Sequence, residues 1–336
     1  MKVILHMVPQ LNTITMISLI KQVNIFLLSM LSVSAFAGTR QLNDSTMSTT
    51  YPVHYHKVAI EGVNIFYREA GPKDGPVILL MHGYPTSSFM FRNLIPKLST
   101  RFHVIAPDLP GFGFSDFPSR DTYTYTFDNL AHTMQGFIDK LGLKHFAIYV
   151  FDYGAPVGFR LVINNPEKIT GIITQDGNAY EQGLLDWSHG LVKAYWEHDT
   201  PENRDAVRNH FFTIDGTNFQ YREGVTDQSL IAPETIALDQ SLMDRPDNIE
   251  MQLDLLRDYK NNLKLYPVFQ AYFKKYQPKI LAIWGIHDPY FSPAGAEGFK
   301  KDDPNTTIKL YNTGHFVLET NAEEAGDDVY NFLSGL

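Results

Sequence analysis

The stretch Phe146-Ala147-Ile148-Tyr149-Val150-Phe151-Asp152-Tyr153-Gly154 is apolar up to Phe151, breaks at Asp152, and passes directly into a helical pattern over Ala155–Asn164. A short run that is apolar at every position suits a strand buried on both faces of a parallel sheet. The switch to helical spacing across one tight turn predicts a strand–turn–helix unit. Such a turn lies at the carboxyl edge of the sheet, where open α/β proteins form their ligand crevices. Asp152 is then either a helix cap, a common role for aspartate, or a functional carboxylate.

Working outward, the same apolar signature recurs at Val77–Met81, Val104–Ala106 and Ile169–Thr174, with another helical pattern at Phe127–Leu141. Upstream, His56–Tyr67 alternates around Glu61-Gly62, a hairpin signal. Strands alternating with helices of this length predict a parallel sheet with right-handed crossovers. From 178 to 276 the strand signal disappears and the chain becomes helical and aromatic. Strands resume at Ile280–Trp284 and Thr307–Leu310, and Ala322–Leu333 forms a final helix pattern. The predicted organisation is an α/β core in two parts, 53–177 and 277–336, interrupted by a helical cap over 178–276.

Composition excludes several functions. The 336 residues carry 28 Lys+Arg against 37 Asp+Glu, a net charge of −9, the opposite of the basic stripe a nucleic-acid binder needs. The absence of cysteine excludes disulfide frameworks, thiolate metal sites and a cysteine nucleophile. His54 and His56 have no nearby carboxylate to complete a metal set, and no metal or other cofactor is expected. Residues 1–37 contain no acidic residue. Lys21 precedes the apolar run Val23–Val33, and Ser34-Ala35-Phe36-Ala37 has the small-residue pattern of a signal cleavage site. The run is shorter than the ~20 residues of a membrane span. The expectation is a secreted or periplasmic protein, cut after Ala37 and free of the membrane thereafter, with 38–52 as a flexible polar leader.

Four short motifs follow predicted strands: His82-Gly83-Tyr84-Pro85, Asp152-Tyr153-Gly154, Asp288, and Gly314-His315-Phe316. They bring a nucleophile, an acid and a histidine, in that order, to one sheet edge. With Asp108-Leu109-Pro110-Gly111-Phe112-Gly113-Phe114-Ser115-Asp116, they make the mature chain resemble the α/β-hydrolase superfamily. That resemblance implies the α/β-hydrolase fold, a mostly parallel sheet flanked by helices with an inserted helical cap. It also implies that Asp152 stands where the G-x-S-x-G serine of many relatives stands; no serine of this chain has that setting. Gly111 and Gly113 lack the third glycine of a dinucleotide loop, Asp116 standing in its place.

A carboxylate is a poor acyl acceptor, but it can displace at saturated carbon, opening an epoxide or expelling a halide. The resulting alkyl ester must be hydrolysed by a water that a base activates. His315 suits that role. The oxyanion donors implied by the resemblance are the backbone N–H groups of Tyr84 and Tyr153. Two acids remain open as the partner of His315: Asp288, which is favoured, and Asp176, just after Ile169–Thr174.

Within the aspartate-nucleophile branch, haloalkane dehalogenases place Trp after the nucleophile and Asn or Glu after His-Gly; this chain has Tyr153 and Tyr84. Pro85-Thr86-Ser87-Ser88 and Arg92-Asn93 nevertheless look like a dehalogenase. Ala194-Tyr195-Trp196-Glu197 and Asn262-Leu263-Lys264-Leu265-Tyr266 resemble the two cap segments that carry the ring-opening tyrosines of epoxide hydrolases. Pro267 follows the second tyrosine, where those enzymes have Arg. The expectation is an epoxide hydrolase acting on small or medium apolar epoxides, with water as second substrate. Tyr195 and Tyr266 would activate the epoxide oxygen, and Trp187, Trp196 and Phe269 would line an apolar pocket. A haloalkane dehalogenase is the first alternative, and a non-catalytic hydrolase-fold binding protein is the alternative from another class.

Overall fold

The computed structural model describes residues 51–185 and 189–336. The expected signal segment, most of the leader and Trp187 lie outside the described residues. No helix among the described residues is long and apolar enough to cross a membrane.

The sheet is built from β1 (His54–Ile60), β2 (Val63–Ala70), β3 (Val77–Met81), β4 (His103–Pro107), β5 (Phe146–Phe151), β6 (Ile169–Gln175), β7 (Ile280–Gly285) and β8 (Thr307–Tyr311), in the order β1-β2-β4-β3-β5-β6-β7-β8. Strand β2 is antiparallel to both its neighbours, β1 and β4, and β1 and β2 form a hairpin that pairs Ile60 with Val63 across Glu61-Gly62. Every other pairing is parallel. The short apolar runs are central strands: every residue of β4, β5 and β7 is buried, because helices cover both faces of the sheet.

In chain order the helices are α1 (Leu94–Leu98), α2 (Phe127–Lys140), α3 (Gly154–Asn164), α4 (Leu191–Glu197), α5 (Pro201–Phe211), α6 (Ile214–Arg222), α7 (Pro233–Met243), α8 (Asn248–Tyr276), α9 (Ala294–Asp302), α10 (Val317–Thr320) and α11 (Ala322–Ser334). Helices α4 to α8 form the insertion between β6 and β7. Thr126, Thr200 and Thr213 cap α2, α5 and α6 by accepting a backbone N–H, and prolines begin α5 and α7, as helix starts favour. Helix α8 passes through Pro267, so the segment expected to end in a ring-opening tyrosine is the middle of a continuous helix.

Candidate active site

Asp152 directly follows β5, and its φ of +45° is in the left-handed region, which aspartate tolerates better than most residues. Its carboxyl accepts the Tyr84 N–H at 2.6 Å through Oδ1, and the Tyr153 N–H also bonds it. A Cβ on Gly83 would lie 2.5 Å from Asp152 Oδ1; glycine there lets the loop after β3 close on the carboxylate. The two expected oxyanion donors therefore both point at Asp152.

The remaining motif residues brace this loop. His82 Nε2 accepts the Leu109 N–H at 2.9 Å, which leaves Nδ1–H to donate to the Gly83 carbonyl at 2.9 Å. Burial lowers the His82 pKa, in keeping with a neutral ring. Asp108 accepts the Ser88 and Phe114 N–H groups at 2.7 and 2.8 Å. The glycine-containing stretch is thus a structural tie between the loops after β3 and β4.

His315 is fully buried in the loop after β8, and its Nδ1 lies 2.7 Å from Asp288 Oδ2. Asp288 is held in turn by the Tyr290 and Phe291 N–H groups at 2.7 and 3.1 Å on Oδ1. Of the two acids left open by the sequence, Asp288 makes the hydrogen bond to His315. Asp176 lies beside Asp288, accepts the Gly285 N–H at 3.1 Å, and is pushed well above the carboxylate range by burial and by the Asp288 charge. It is a buried neighbour of the acid rather than the partner of the imidazole. Burial depresses the His315 pKa, but the Asp288 and Asp152 carboxylates outweigh it and leave a net rise. Its Nε2 is buried without a hydrogen-bond partner among the described residues and lies 3.8 Å from Asp152 Oδ2. Burial pushes Asp152 up to about 6 against the pull of His315 and the two N–H donors.

Above Asp152 is a cavity of about 30 Å³, lined among the described residues by aromatic side chains including Phe211, Phe212, Tyr259 and Tyr290, with Leu256 and Gln220. The expected ring-opening tyrosines are not at this wall. Tyr195 donates to the Leu253 carbonyl at 3.1 Å and accepts from Arg204 at 2.9 Å, so it fastens α4 to α8 and α5. Tyr266 accepts from Asn178 at 3.3 Å and bonds Tyr259; it stands behind the wall. Trp196 donates to the Leu256 carbonyl at 2.7 Å, and Phe269 packs on Phe159 in the core, so neither lines the cavity. The tyrosines that line the cavity with Asp152 are Tyr84 and Tyr153, beside the carboxylate, and Tyr259, two turns before Tyr266 on the same face of α8, with Tyr290. Burial raises the pKa of Tyr259 and Tyr290 most, followed by Tyr266 for Tyr259 and Asp288 for Tyr290, and Asp152 adds a smaller rise to each. A sequence signal for Tyr259 was present: Lys260 supplies the basic residue after the tyrosine that Pro267 denies to Tyr266. Gln220 carries no motif.

His56, weighed as a metal ligand, pairs with Glu69 at 3.2 Å, a carboxylate that also holds His103 and Lys73. That cluster is an ion-pair network at the hairpin.

The chain matches the alpha/beta hydrolase fold family over residues 76–322. An uncharacterized hydrolase of Saccharomyces cerevisiae is 44% identical over 283 residues, covering 83% of this chain and 97% of that protein. A haloalkane dehalogenase of Bradyrhizobium diazoefficiens is 34% identical over 167 residues, 50% of this chain and 52% of that enzyme. Among solved structures, a haloalkane dehalogenase loop variant from Bradyrhizobium elkanii superposes with a TM-score of 0.67 at 25% identity, covering 84% of this chain and 97% of that one.

Proposed function

The chain belongs to the α/β-hydrolase family, and on that premise we propose that it hydrolyses small apolar epoxides through a covalent ester on Asp152. The observation that carries this reading is the composition of the cavity wall. Around a carboxylate anchored on Oδ1, with Oδ2 3.8 Å from His315, the wall includes Tyr259 and Tyr290 as well as Tyr84 and Tyr153.

In the first step Asp152 Oδ2 attacks a ring carbon, the carbon–oxygen bond breaks, and a phenol protonates the departing oxygen. Tyr259 takes this role in place of Tyr195 or Tyr266, with Tyr266 as its hydrogen-bonded support. In the second step His315 Nε2 removes a proton from water, whose oxygen attacks Cγ of the ester. Charge collects on Oδ1 against the Tyr84 and Tyr153 N–H groups. Collapse expels the diol oxygen, which takes the proton from His315; the acid proton left on Asp152 returns to the phenolate. Asp288 orients the imidazole and stabilises its charged form.

A halide leaving group would need N–H donors. Of the cavity-lining side chains, Gln220 offers them, and its amide donates to the Tyr84 carbonyl at 2.9 Å. Similarity to haloalkane dehalogenases supports that second reading. The deciding experiment is intact-mass spectrometry of His315→Ala with 1,2-epoxybutane and, separately, 1-bromobutane. An ester on the peptide bearing Asp152 from the epoxide alone supports the proposal. A butyl ester from the bromide alone makes the protein a dehalogenase. No adduct from either leaves a binding protein as the better account. We further propose export with cleavage after Ala37, which requires the mature protein to begin at Gly38 by N-terminal sequencing.

A further inference from the structure

One short segment of the insertion, at the end of α6, meets the loop of Tyr84 and the loops that carry Asp288 and His315. Gln220 is buried, and its Nε2 donates at 2.9 Å to the carbonyl of Tyr84, whose own N–H holds Asp152. The next residue, Tyr221, is fully buried and lies face to face with Phe316 at 3.9 Å and 4° between planes. Phe316 is the immediate neighbour of His315. The Tyr221 hydroxyl donates to Asp239 on α7, which fixes the ring from behind. Two backbone contacts complete the grip. A Cβ on Gly314 would lie 2.0 Å from the Glu223 carbonyl oxygen, and one on Gly224 would lie 2.2 Å from the carbonyl oxygen of His287, the residue before Asp288.

We propose that Gln220–Gly224 is a positioning clamp that holds the oxyanion loop and the His315 loop in mutual register, and that it acts on ester hydrolysis rather than on ester formation. The inference rests on the ester mechanism above and adds residues that mechanism does not use. The selectivity follows from where charge goes. Ester formation carries charge off Asp152 and uses neither His315 nor a tightened oxyanion hole. Hydrolysis returns charge to Oδ1 and needs His315 within reach of the attacking water, so small displacements of either loop fall on that step. Tyr221 touches other protein groups rather than the reacting atoms, and Gln220, although it borders the cavity, has its amide engaged by the Tyr84 carbonyl.

The test compares Gln220→Met, Tyr221→Leu and Tyr221→Phe during turnover of 1,2-epoxybutane, a substrate with no halide for Gln220 to bind. Ester formation is followed in a single turnover and ester content by intact mass. In Gln220→Met and Tyr221→Leu, kcat should fall roughly 10–100-fold, the range for residues that orient catalytic groups, ester should accumulate, and its formation rate should hold within about twofold. Tyr221→Phe keeps the stack on Phe316 and should hydrolyse the ester at close to the parent rate. Equal slowing of both steps, or parent-rate hydrolysis in a folded Gln220→Met, overturns the clamp; the latter result suffices even where Tyr221→Leu does not fold. A His315→Ala control separates the failures. Ester trapped there, with none accumulating in the clamp variants, removes the clamp alone, whereas no ester there removes the ester mechanism and the clamp with it.

Discussion

Nε2 of His315 stands 3.8 Å from Oδ2 of Asp152, beyond hydrogen-bond reach of a carboxylate already held on its other oxygen. In the proposed mechanism that separation leaves Oδ2 free to attack carbon and the imidazole free to act on a water rather than on the aspartate.

The first prediction concerns the fate of oxygen. If Oδ2 attacks carbon and water attacks Cγ, a single turnover in ¹⁸O-labelled water should deliver unlabelled diol and place the label in the Asp152 carboxyl. Peptide mass spectrometry reads this directly. Label appearing at once in the diol would mean that water attacks the substrate itself, with His315 as base and no ester.

The two steps should respond differently to acid. Ester formation needs Asp152 ionised, so its rate should fall as pH drops through about 6. Hydrolysis needs His315 neutral. In the ester the Asp152 charge is gone, but the Asp288 carboxylate, the larger upward pull, remains and opposes the lowering by burial. Acidification should therefore slow hydrolysis by charging His315, and ester should build up in rapid-quench samples wherever Asp152 is still ionised. Replacing His315 by Ala removes a positive charge that lowers the Asp152 pKa, so the acid limb of ester formation should move upward in that variant.

Phenylalanine scanning of the tyrosines separates the cavity wall from the packing behind it. Tyr259→Phe should slow ester formation from an epoxide about 100-fold or more, the usual scale for a lost proton donor. Tyr195→Phe should leave that rate within a few-fold and lower the melting temperature, because it removes the bond to the Leu253 carbonyl. Equal losses in both variants would return Tyr195 to the chemistry.

Asp239 offers a stability test. Burial pushes its carboxyl up to about 8, with Glu319 raising it further and Tyr221, Thr86 and Arg92 pulling down. The folded protein thus holds a proton that the unfolded chain releases near pH ~4. Stability from this group is full below that value, declines as pH rises from ~4 to about 8, and changes no further above. Asn is neutral throughout, so the melting temperature of Asp239→Asn relative to the parent should climb across that window and then level off. A difference that is flat with pH would show that Asp239 is already ionised.

The legible and illegible parts of the sequence divide along physical lines. Val77–Met81 and Phe146–Phe151 matched their strands end to end because complete burial forces every residue of a central strand to be apolar. The placement of Asp152, Asp288 and His315 was legible because each sits at or just past a strand end, a position fixed by backbone topology. The choice between Asp288 and Asp176 was not, since both follow strand ends and the structure gathers both around His315. Nor was the direction of the insertion's tyrosines. Whether Tyr259 or Tyr266 faces the cavity depends on how α8 lies across the core, and both positions share one helix face. Tyr195 misled because an aromatic hydroxyl at a plausible place is equally suited to tying helices together.

The cavity over Asp152, at about 30 Å³, is small and bordered by Phe211, Phe212 and Leu256. In the proposed mechanism those side chains would set how large an epoxide reaches the carboxylate, so selection by size would rest with apolar residues that take no part in the bond changes.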